Sequence, residues 1–278
     1  MIIITRNEAR HIAPCLDSVK FADEWIVVDN GSTDGTAEIA RDKGAQVVVT
    51  PDWPGFGPQK ARALTLARGT WVLSIDADER VTPELAREII ALVDSAEPDP
   101  AQGGSLSRPV ACELRRLSSF CGQFMRHGDW YPDHVLRLFR RGMARFTPDL
   151  VHERVELDRE GAARSGTRPA AERALPVGLL SGHLLHETMP DLHQAIDKMN
   201  RYSTGRAAEK VAAGRRGGLA SALLHGVWAF LRCYILKRGL LDGRLGFVLA
   251  AYVAEGTYYR YLKMAYPAPP STHPGATH

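Results

Sequence analysis

The sequence predicts an α/β fold, in which a mostly parallel, doubly wound sheet is flanked by helices and followed by a helical C-terminal extension. Short β-branched segments alternate with helical segments through residues 1–78, which is the pattern of consecutive βαβ units. A polar motif follows three of the predicted strands, and in such sheets ligands bind at the carboxyl ends of the strands. Two long apolar segments, 219–236 and 245–264, have the length of helices.

The predicted elements of the first half are bounded by turn residues. Four short apolar strands are expected at 2–5, 25–28, 46–50 and 71–75. Helices are expected at 8–19, 36–43, 58–68 and 83–93, with a glycine just past the second and the third. Further along, the sequence predicts strands at 135–140 and 151–157 and a long helix at 190–213.

Composition and charge narrow the class of protein. A hydrophobic fraction of 45% with 24% charged residues is typical of a globular chain. Residues 201–278 carry 11 Lys/Arg against 3 Asp/Glu, which indicates an anionic partner surface. No basic run is longer than a pair, so a membrane is favoured over nucleic acid. The four cysteines are scattered, which favours a reduced compartment over a disulfide framework or a zinc site.

Two carboxylates, Asp76 and Asp78, follow the fourth predicted strand. Hard oxygen ligands with open coordination positions suit Mg²⁺ or Mn²⁺ bridging a diphosphate, and such a cation stabilises charge on a departing diphosphate. The alternative is structural, with Asp78 or Thr82 capping the next helix. The position at a strand end favours the binding interpretation.

A second polar motif, 29–36, lies between the second strand and its helix. Its glycines permit a tight turn, and Thr33 or Asp34 can cap the helix. Capping leaves Asp29 unexplained, because this residue ends an apolar strand where its carboxylate could accept a hydrogen bond from a nucleobase N–H. We therefore interpret Asp29 as a binding residue.

Three motifs, in this order and spacing, resemble family 2 glycosyltransferases of the GT-A fold, which has a Rossmann-like sheet. They are Thr5-Arg6-Asn7-Glu8, the segment 29–36, and Ile75-Asp76-Ala77-Asp78. The resemblance implies a nucleotide-sugar donor whose base is bound by Asp29 and whose nucleoside pocket includes Glu8. It also implies that Asp76 lies by the ribose and diphosphate and that Asp78, with Asp76, holds a divalent metal, Mg²⁺ or Mn²⁺. The remaining implied donor residues are Thr5, Asn7, Ser32 and Arg137.

Further segments are similar to bacterial lipopolysaccharide core β-glucosyltransferases, which transfer glucose from UDP-glucose to an inner-core heptose. They are 52–60, 78–85, 130–133, 137–140 and 151–154. The resemblance implies an inverting hexosyltransferase with a lipid-linked saccharide as acceptor.

An inverting mechanism needs a general base that takes the proton of the acceptor hydroxyl. In the family this Asp usually follows a Glu-Asp pair and precedes an Arg, whereas here Pro132-Asp133 replaces the pair and Arg137 follows. Asp133 is the first candidate for the base, Asp129 the second and Glu153 the third. A turn or capping role for Asp133 stays open.

Some GT-A enzymes add a late histidine to the metal, and the candidates here are His152 and His186. A lone histidine is more often structural. Lys60 and Arg62, on the third predicted helix, could reach phosphates, but a solvated helix face explains both residues as well.

The expected division of the chain is a catalytic domain (1–205), a membrane-associating helical region (206–266) and a disordered tail (267–278). Within the catalytic domain, 1–95 is the nucleotide-sugar half and 110–205 the acceptor half. The segment 219–236 is near the lower length of a membrane span, but Ser221, His225 and Arg232 form a polar stripe on it. An interfacial helix on anionic lipid is therefore favoured, and packing on the catalytic domain or in a homodimer is the alternative. The protein is then expected in the cytoplasm, peripheral on the inner face of the cytoplasmic membrane, without a nucleic-acid partner.

Other classes fit the motifs less well. A sugar nucleotidyltransferase would need a Gly-rich phosphate loop after the first strand, and a dinucleotide-binding oxidoreductase would need G-x-G-x-x-G there. The residues at that point are 5–8, which contain no glycine. A non-catalytic nucleotide-sugar binder stays open.

Overall fold

The parallel sheet that the sequence predicts begins at the first residues of the chain. Strands β1 (Ile2–Thr5), β2 (Ile26–Asp29) and β3 (Gln46–Val49) pair in parallel in the order β1-β2-β3. Strand β4 (Trp71–Leu73) joins β1 through a parallel bridge between Ile2 and Ser74. Because the four strands run in the same direction, their carboxyl ends point to one edge of the sheet, as expected.

Four helices accompany these strands close to their predicted positions. They are α1 (Ala9–Ser18), α2 (Thr36–Asp42), α3 (Phe56–Leu66) and α4 (Pro83–Asp94). Helix α3 starts ahead of Pro58, directly after Gly55, whose φ of 105° makes the turn into the helix. The hydroxyl of Thr82 accepts a hydrogen bond from Leu85 N at 3.3 Å. Thr82 is therefore the cap of α4, which leaves Asp78 free of that role.

A second sheet extends from β4 through antiparallel pairs, in the order β4-β8-β6-β11-β5. Its other strands are β5 (Glu79–Val81), β6 (Ala111–Phe120), β8 (Asp133–Arg140) and β11 (Val177–Met189), with β7 (Gln123–Phe124) paired to β6. A separate antiparallel pair is formed by β9 (Ala144–Phe146) and β10 (Val155–Leu157). The sequence predicted β8 and part of β10 but missed the long strands β6 and β11. Charged and polar residues interrupt the apolar pattern of both strands, so periodicity alone did not reveal them.

The main core of this part of the chain holds α1 and α4 against the sheets. Ile12 and Leu16 of α1 and Leu85 of α4 are fully buried in it. Strand β11 lies so close to α4 that a Cβ added at Gly182 would be 2.5 Å from Leu85 N. This packing fixes β11 beside the short strand β5, which follows the Asp76–Asp78 turn.

The C-terminal part is helical, as predicted. It contains α5 (Leu192–Ala212), α6 (Leu219–Leu231) and α7 (Gly243–Ala265), with a π-helical turn (Arg232–Leu236) and a 3₁₀ turn (Gly239–Asp242) between α6 and α7. Lys263 of α7 donates hydrogen bonds to Asn200 Oδ1 at 2.6 Å and to Ser203 Oγ at 2.8 Å. Helices α5 and α7 are therefore joined by polar contacts as well as by packing.

The computed structural model describes residues 1–95, 108–148, 153–158 and 175–267, so nearly all of the predicted disordered tail lies outside the described residues. The chain forms two units, one of residues 1–116 and 133–186, the other of residues 117–132 and those from 187 onward. The second unit includes 187–205, which the sequence assigned to the catalytic domain. The functional division at residue 205 stays a prediction.

Candidate active site

The loops that follow β1 and β2 are hydrogen-bonded to each other. Asn7 N donates to Ser32 Oγ at 2.8 Å, and Thr33 N donates to Asn7 Oδ1 at 2.9 Å. Asn7 has a φ of 56°, a left-handed conformation in which asparagine is enriched. Two predicted donor residues, Asn7 and Ser32, are thus in contact at the edge of the sheet where ligands bind.

Asp29 ends β2 and is 1% exposed. Its Oδ1 accepts a hydrogen bond from Ser32 N at 2.8 Å, and its Oδ2 accepts one from the Ser32 hydroxyl. The carboxylate therefore shapes the loop that carries Ser32. Each carboxylate oxygen can accept more than one hydrogen bond, so Asp29 keeps the capacity to bind a ligand N–H.

Two buried polar atoms at this edge have no hydrogen-bond partner among the described residues. They are Thr5 Oγ1, at the end of β1, and Asn30 Oδ1, directly after Asp29. A buried polar atom left unpaired costs free energy, so a ligand that bonds to these atoms would be favoured here. Thr5 was a predicted donor residue. Asn30 was not, although its place immediately after a strand-end aspartate was a signal that could have found it.

Glu8, beside the start of α1, lies in a cluster of carboxylates. Burial, followed by the negative charges of Asp78, Asp34 and Asp76, raises the pKa of Glu8 to about 7. The predicted donor residue Glu8 thus lies within electrostatic range of the predicted metal site, and a cation among these groups would favour their ionised forms.

Asp76 is paired with two cations. Its Oδ1 lies 2.9 Å from Lys60 Nζ, and its Oδ2 accepts a hydrogen bond from Arg137. Burial alone would raise the pKa of Asp76, but Arg137 and Lys60 outweigh burial and hold the pKa well below its usual range. Lys60 is 3% exposed, which excludes the solvated helix face that the sequence left open for it. Arg137 was a predicted donor residue, and the structure brings it to Asp76.

A buried glutamate that the sequence analysis missed, Glu79, supports this pair. Its Oε1 lies 2.9 Å from Arg137 Nη2 and 3.6 Å from Arg116 Nη1, and its Oε2 accepts a hydrogen bond from Asp76 N at 2.9 Å. Its side chain is completely buried. The sequence signal that could have revealed Glu79 was its position directly after the two aspartates. In the short strand β5, Glu79 and Val81 are buried, and Arg80 between them is partly exposed.

These ion pairs continue at both ends and form one alternating series. Arg116 Nη2 lies 2.8 Å from Asp133 Oδ2, and Lys60 Nζ lies 2.7 Å from Glu153 Oε1. We call the series the charge row; in order it contains Glu153, Lys60, Asp76, Arg137, Glu79, Arg116 and Asp133.

The charge row separates the three candidates for the general base. Asp133 and Glu153 are its two ends, so both carboxylates belong to the network around Asp76. Asp129 belongs to the second unit, where its Oδ2 lies 2.6 Å from Arg232 Nη2. The network therefore favours Asp133 and Glu153 over Asp129 as candidates for the base.

Asp78 is paired with a histidine. Its Oδ2 lies 3.3 Å from His186 Nε2, because β11 pairs with β5 and brings His186 opposite Glu79. Of the two predicted candidate histidines, His186 is therefore at the motif, and His152 lies outside the described residues.

The residues present fit a divalent metal that is shared with a substrate. Within the described ranges, no three His, Cys, Asp or Glu side chains are grouped closely enough to hold a metal by themselves. Mg²⁺, however, is usually bound by one or two carboxylates together with waters and substrate phosphates, and Asp78 with His186 can supply such a partial set. Both oxygens of Asp76 already contact cations, so its part as a metal ligand stays a prediction.

Known glycosyltransferases are similar to this chain along most of its length. The glycosyl transferase family 2 profile matches residues 1–152. The chain is 31% identical to an uncharacterized glycosyltransferase of Rickettsia prowazekii, over 94% of this chain and 85% of that protein. It is 28% identical to LpsC of Rhizobium meliloti, a lipopolysaccharide core biosynthesis glycosyltransferase, over 95% of this chain and 93% of LpsC.

Among solved structures, Staphylococcus aureus TarS (residues 1–349) aligns with 95% of this chain and 88% of its own, at 16% identity and a TM-score of 0.43. The family assignment rests on the sequence matches, which include the motifs at the ends of β1, β2 and β4. This chain belongs to glycosyl transferase family 2.

Proposed function

We propose that this glycosyltransferase transfers glucose from UDP-glucose, with inversion, to a membrane-anchored saccharide such as the inner core of lipopolysaccharide. The observation that carries the proposal is the convergence of Asp29, Glu8 and the Asp76–Asp78 turn at one edge of the parallel sheet. The similarity to LpsC along nearly the whole of both chains supports the lipopolysaccharide core as the class of acceptor.

The nucleoside of the donor binds at the ends of β1 and β2 in this proposal. Asp29 accepts a hydrogen bond from a base N–H, as a buried carboxylate at a strand end can do. Thr5 Oγ1 and Asn30 Oδ1 gain the hydrogen bonds that they lack within the protein. Asp76, held by Lys60 and Arg137, presents its remaining lone pairs to the ribose side.

The diphosphate binds beside Asp78 and His186. A divalent cation held there, when bound, stabilises the negative charge of the departing UDP. Glu8 lies near the same point, and its ionised form adds negative charge that favours the cation. His186 is placed by the pairing of β11 with β5 and does not depend on a flexible loop.

The acceptor hydroxyl loses its proton to a carboxylate at one end of the charge row. We assign this role to Asp133, which follows Pro132 and is about one-third exposed. Arg116 bridges Asp133 and the buried Glu79, so the base is oriented by an arginine that is itself held by a buried carboxylate. A carboxylate positioned in this way serves as the general base of an inverting transfer.

A donor and acceptor screen tests the proposal. Purified protein with Mn²⁺ is incubated with UDP-, GDP- and dTDP-sugars and with truncated lipopolysaccharide, and transfer is scored by mass spectrometry of the acceptor. We expect one added hexose from UDP-glucose. Use of GDP-mannose in preference to UDP-glucose would overturn the donor assignment, and transfer only to another envelope glycolipid would overturn the acceptor.

The Asp78→Ala variant separates an enzyme from a binder. In a metal-assisted transferase this change abolishes turnover, while a protein that only binds nucleotide sugars keeps its function. Transfer at the wild-type rate by Asp78→Ala would therefore contradict the proposed role of this carboxylate.

A further inference from the structure

Helix α6 buries its small residues and exposes its large apolar ones. Ala222, Gly226 and Ala229 are buried, and Cys233 continues the same face in the next turn. The exposed large side chains are Leu219, Leu223, Leu224, Val227, Trp228 and Leu231, each at least 40% exposed. This is the reverse of a helix packed on a water-soluble core, where large apolar side chains face inward.

The small residues of α6 serve its packing against α7. A Cβ added at Gly226 would lie 3.3 Å from Tyr258 Cβ and 3.5 Å from Ala254 O. The two helices therefore approach closely through small side chains, as helices do in membranes. The large apolar residues of α6 remain largely exposed beside this contact, so packing within the unit does not account for their apolar surface.

Five of the exposed residues line one shallow hollow, which we call the apolar face: Leu223, Leu224, Val227, Trp228 and Leu231. Exposed apolar residues continue in the turn after α6 and at the start of α7; they are Ile235, Leu236, Leu240, Leu241 and Phe247. A contiguous apolar surface of this kind marks a site of interaction with a membrane or another protein.

The charged residues that flank α6 in the sequence are almost all positive. Between 213 and 250 the sequence has six Lys/Arg residues and one Asp. That aspartate, Asp242, is buried and accepts a hydrogen bond from His127 N at 2.9 Å. Five of the basic residues are exposed and have no acidic partner assigned among the described residues; they are Arg215, Arg216, Lys237, Arg238 and Arg244. Basic side chains thus flank α6 on both sides in the sequence, and their charge is complementary to that of an anionic surface.

We infer that the apolar face is a docking surface for an anionic phospholipid bilayer, on which α6 lies in the interfacial plane. Its large side chains enter the boundary of the acyl chains, and Trp228 takes the interfacial position that tryptophan prefers. The flanking basic residues bind lipid phosphates, each contributing to affinity for negatively charged membranes. An anionic bilayer therefore offers a partner both for the apolar face, in its acyl chains, and for the basic residues, in its phosphates.

Two polar contacts keep α6 attached to its unit and oppose a transmembrane arrangement. The ring of His225 contacts the ring of Tyr261 on α7, with the ring centroids 4.2 Å apart and the planes inclined by 60°. Arg232 is bound to Asp129 at 2.6 Å. The apolar stretch Leu219–Leu236 has 18 residues and a mean hydropathy of 1.5, which meets the composition of a span, but at about 1.5 Å per residue it falls short of a hydrocarbon core of about 30 Å.

The inference goes beyond the proposed reaction, because lipid binding is independent of the donor and acceptor. Taken together with the proposed function, it predicts that the protein lies at the inner face of the cytoplasmic membrane, where a soluble nucleotide sugar and a lipid-linked acceptor can meet. If the proposed acceptor were wrong, the lipid-binding result would be unchanged. If lipid binding failed, transfer to a detergent-solubilised acceptor would still test the proposed function.

Vesicle flotation of the full chain tests the docking surface. We expect the protein to float with phosphatidylcholine vesicles that contain phosphatidylglycerol and to bind vesicles of phosphatidylcholine alone more weakly, with high salt reducing the difference. Leu224→Glu with Trp228→Glu is expected to weaken partitioning on the order of a hundredfold. Lys237→Glu with Arg238→Glu is expected to weaken it about tenfold or more on the anionic vesicles only.

Ile90→Glu is the matched control, since Ile90 is an apolar residue of α4 in the other unit that is 38% exposed. It should float like the wild type, and urea unfolding of each variant shows that the chain is folded. Any of three results would overturn the inference. The wild type could fail to float with either kind of vesicle, or it could form a soluble homodimer that Leu224→Glu dissociates. The protein could also resist alkaline carbonate extraction from membranes, which would mean that the helix spans the bilayer.

Discussion

His186 Nε2 lies 3.3 Å from Asp78 Oδ2, although the two residues are far apart in the sequence. The contact exists because β11 pairs antiparallel with β5 immediately after the Asp76–Asp78 turn. An imidazole and a carboxylate at this distance can bind one divalent cation together. The pair is therefore the part of the structure from which we predict metal dependence.

Replacing His186 by alanine should weaken metal binding and leave the fold intact. We expect the Mn²⁺ concentration for half-maximal transfer to rise about ten- to a hundredfold, with a smaller change at saturating metal. A metal titration of activity, with calorimetry of Mn²⁺ in the presence of UDP, measures the effect. His193→Ala serves as control, because His193 is 86% exposed on α5, and an equal loss in both variants would contradict the assignment.

Because the Thr5 hydroxyl is unpaired, its removal should lower the affinity for UDP without lowering the free energy of unfolding. Thr5→Val removes a buried polar atom that has no partner among the described residues, so the free energy of unfolding should stay the same or rise by up to about 1 kcal/mol. The affinity for UDP should fall about fivefold, since the ligand loses a hydrogen bond. Urea unfolding and calorimetry with UDP measure the two quantities.

Thr36→Val is the matched control for this prediction. The Thr36 hydroxyl is also buried, but it accepts a hydrogen bond from Glu8 N at 2.8 Å and donates to Asp34. Its loss should lower the free energy of unfolding by about 1–3 kcal/mol. If Thr5→Val were destabilising to the same degree and left UDP affinity unchanged, Thr5 would have a structural role instead.

The parallel sheet, its helices and the three strand-end motifs could be predicted from the sequence because each is a local pattern. Short apolar runs predict β1 to β4, and the position of Asp29 at the end of an apolar strand indicates a binding residue. The charge row could not be predicted, because Glu79, Arg116 and Lys60 meet only through pairings between distant segments. Strands β6 and β11 carry polar residues for a related reason, since Arg116 of β6 belongs to the charge row and His186 of β11 contacts Asp78.

Glu79 should be a major contributor to stability. It is completely buried, and its Oε1 forms ion pairs with both Arg137 and Arg116. Its other oxygen accepts a hydrogen bond from Asp76 N. Glu79→Gln leaves a buried guanidinium partly uncompensated, so the free energy of unfolding should fall by about 3 kcal/mol.

The comparison variant for Glu79 is Glu84→Gln, which breaks an exposed pair with Arg87 on α4. It should cost less than about 0.5 kcal/mol. Urea denaturation of both variants measures the difference, and equal costs would mean that the charge row contributes no more than a surface ion pair.

Asp133 should be the carboxylate whose loss reduces turnover most. Asp133→Asn keeps an oxygen for Arg116 but cannot accept the acceptor proton, so kcat should fall about 10²- to 10⁴-fold with little change in the KM for the donor. Glu153→Gln and Asp129→Asn should lose less than about tenfold. A larger loss of kcat for Glu153→Gln would move the base to the other end of the charge row.

The raised pKa of Glu8 predicts how the stability of the metal-free protein varies with pH. The pKa of this carboxyl is 4.5 in the reference state and about 7 in the folded protein, chiefly because of burial. The folded state therefore holds the proton more tightly, and the contribution of Glu8 to stability is full below pH 4.5 and lost as pH rises through 7. Glu8→Gln carries no ionisable group, so between about pH 5 and about pH 8 it should gain about 2 kcal/mol relative to the wild type. Urea unfolding with EDTA at both pH values measures this gain. The control is Glu38→Gln, on the exposed face of α2, which should show no such gain. A pH-independent difference between Glu8→Gln and the wild type would mean that Glu8 ionises normally in the folded protein.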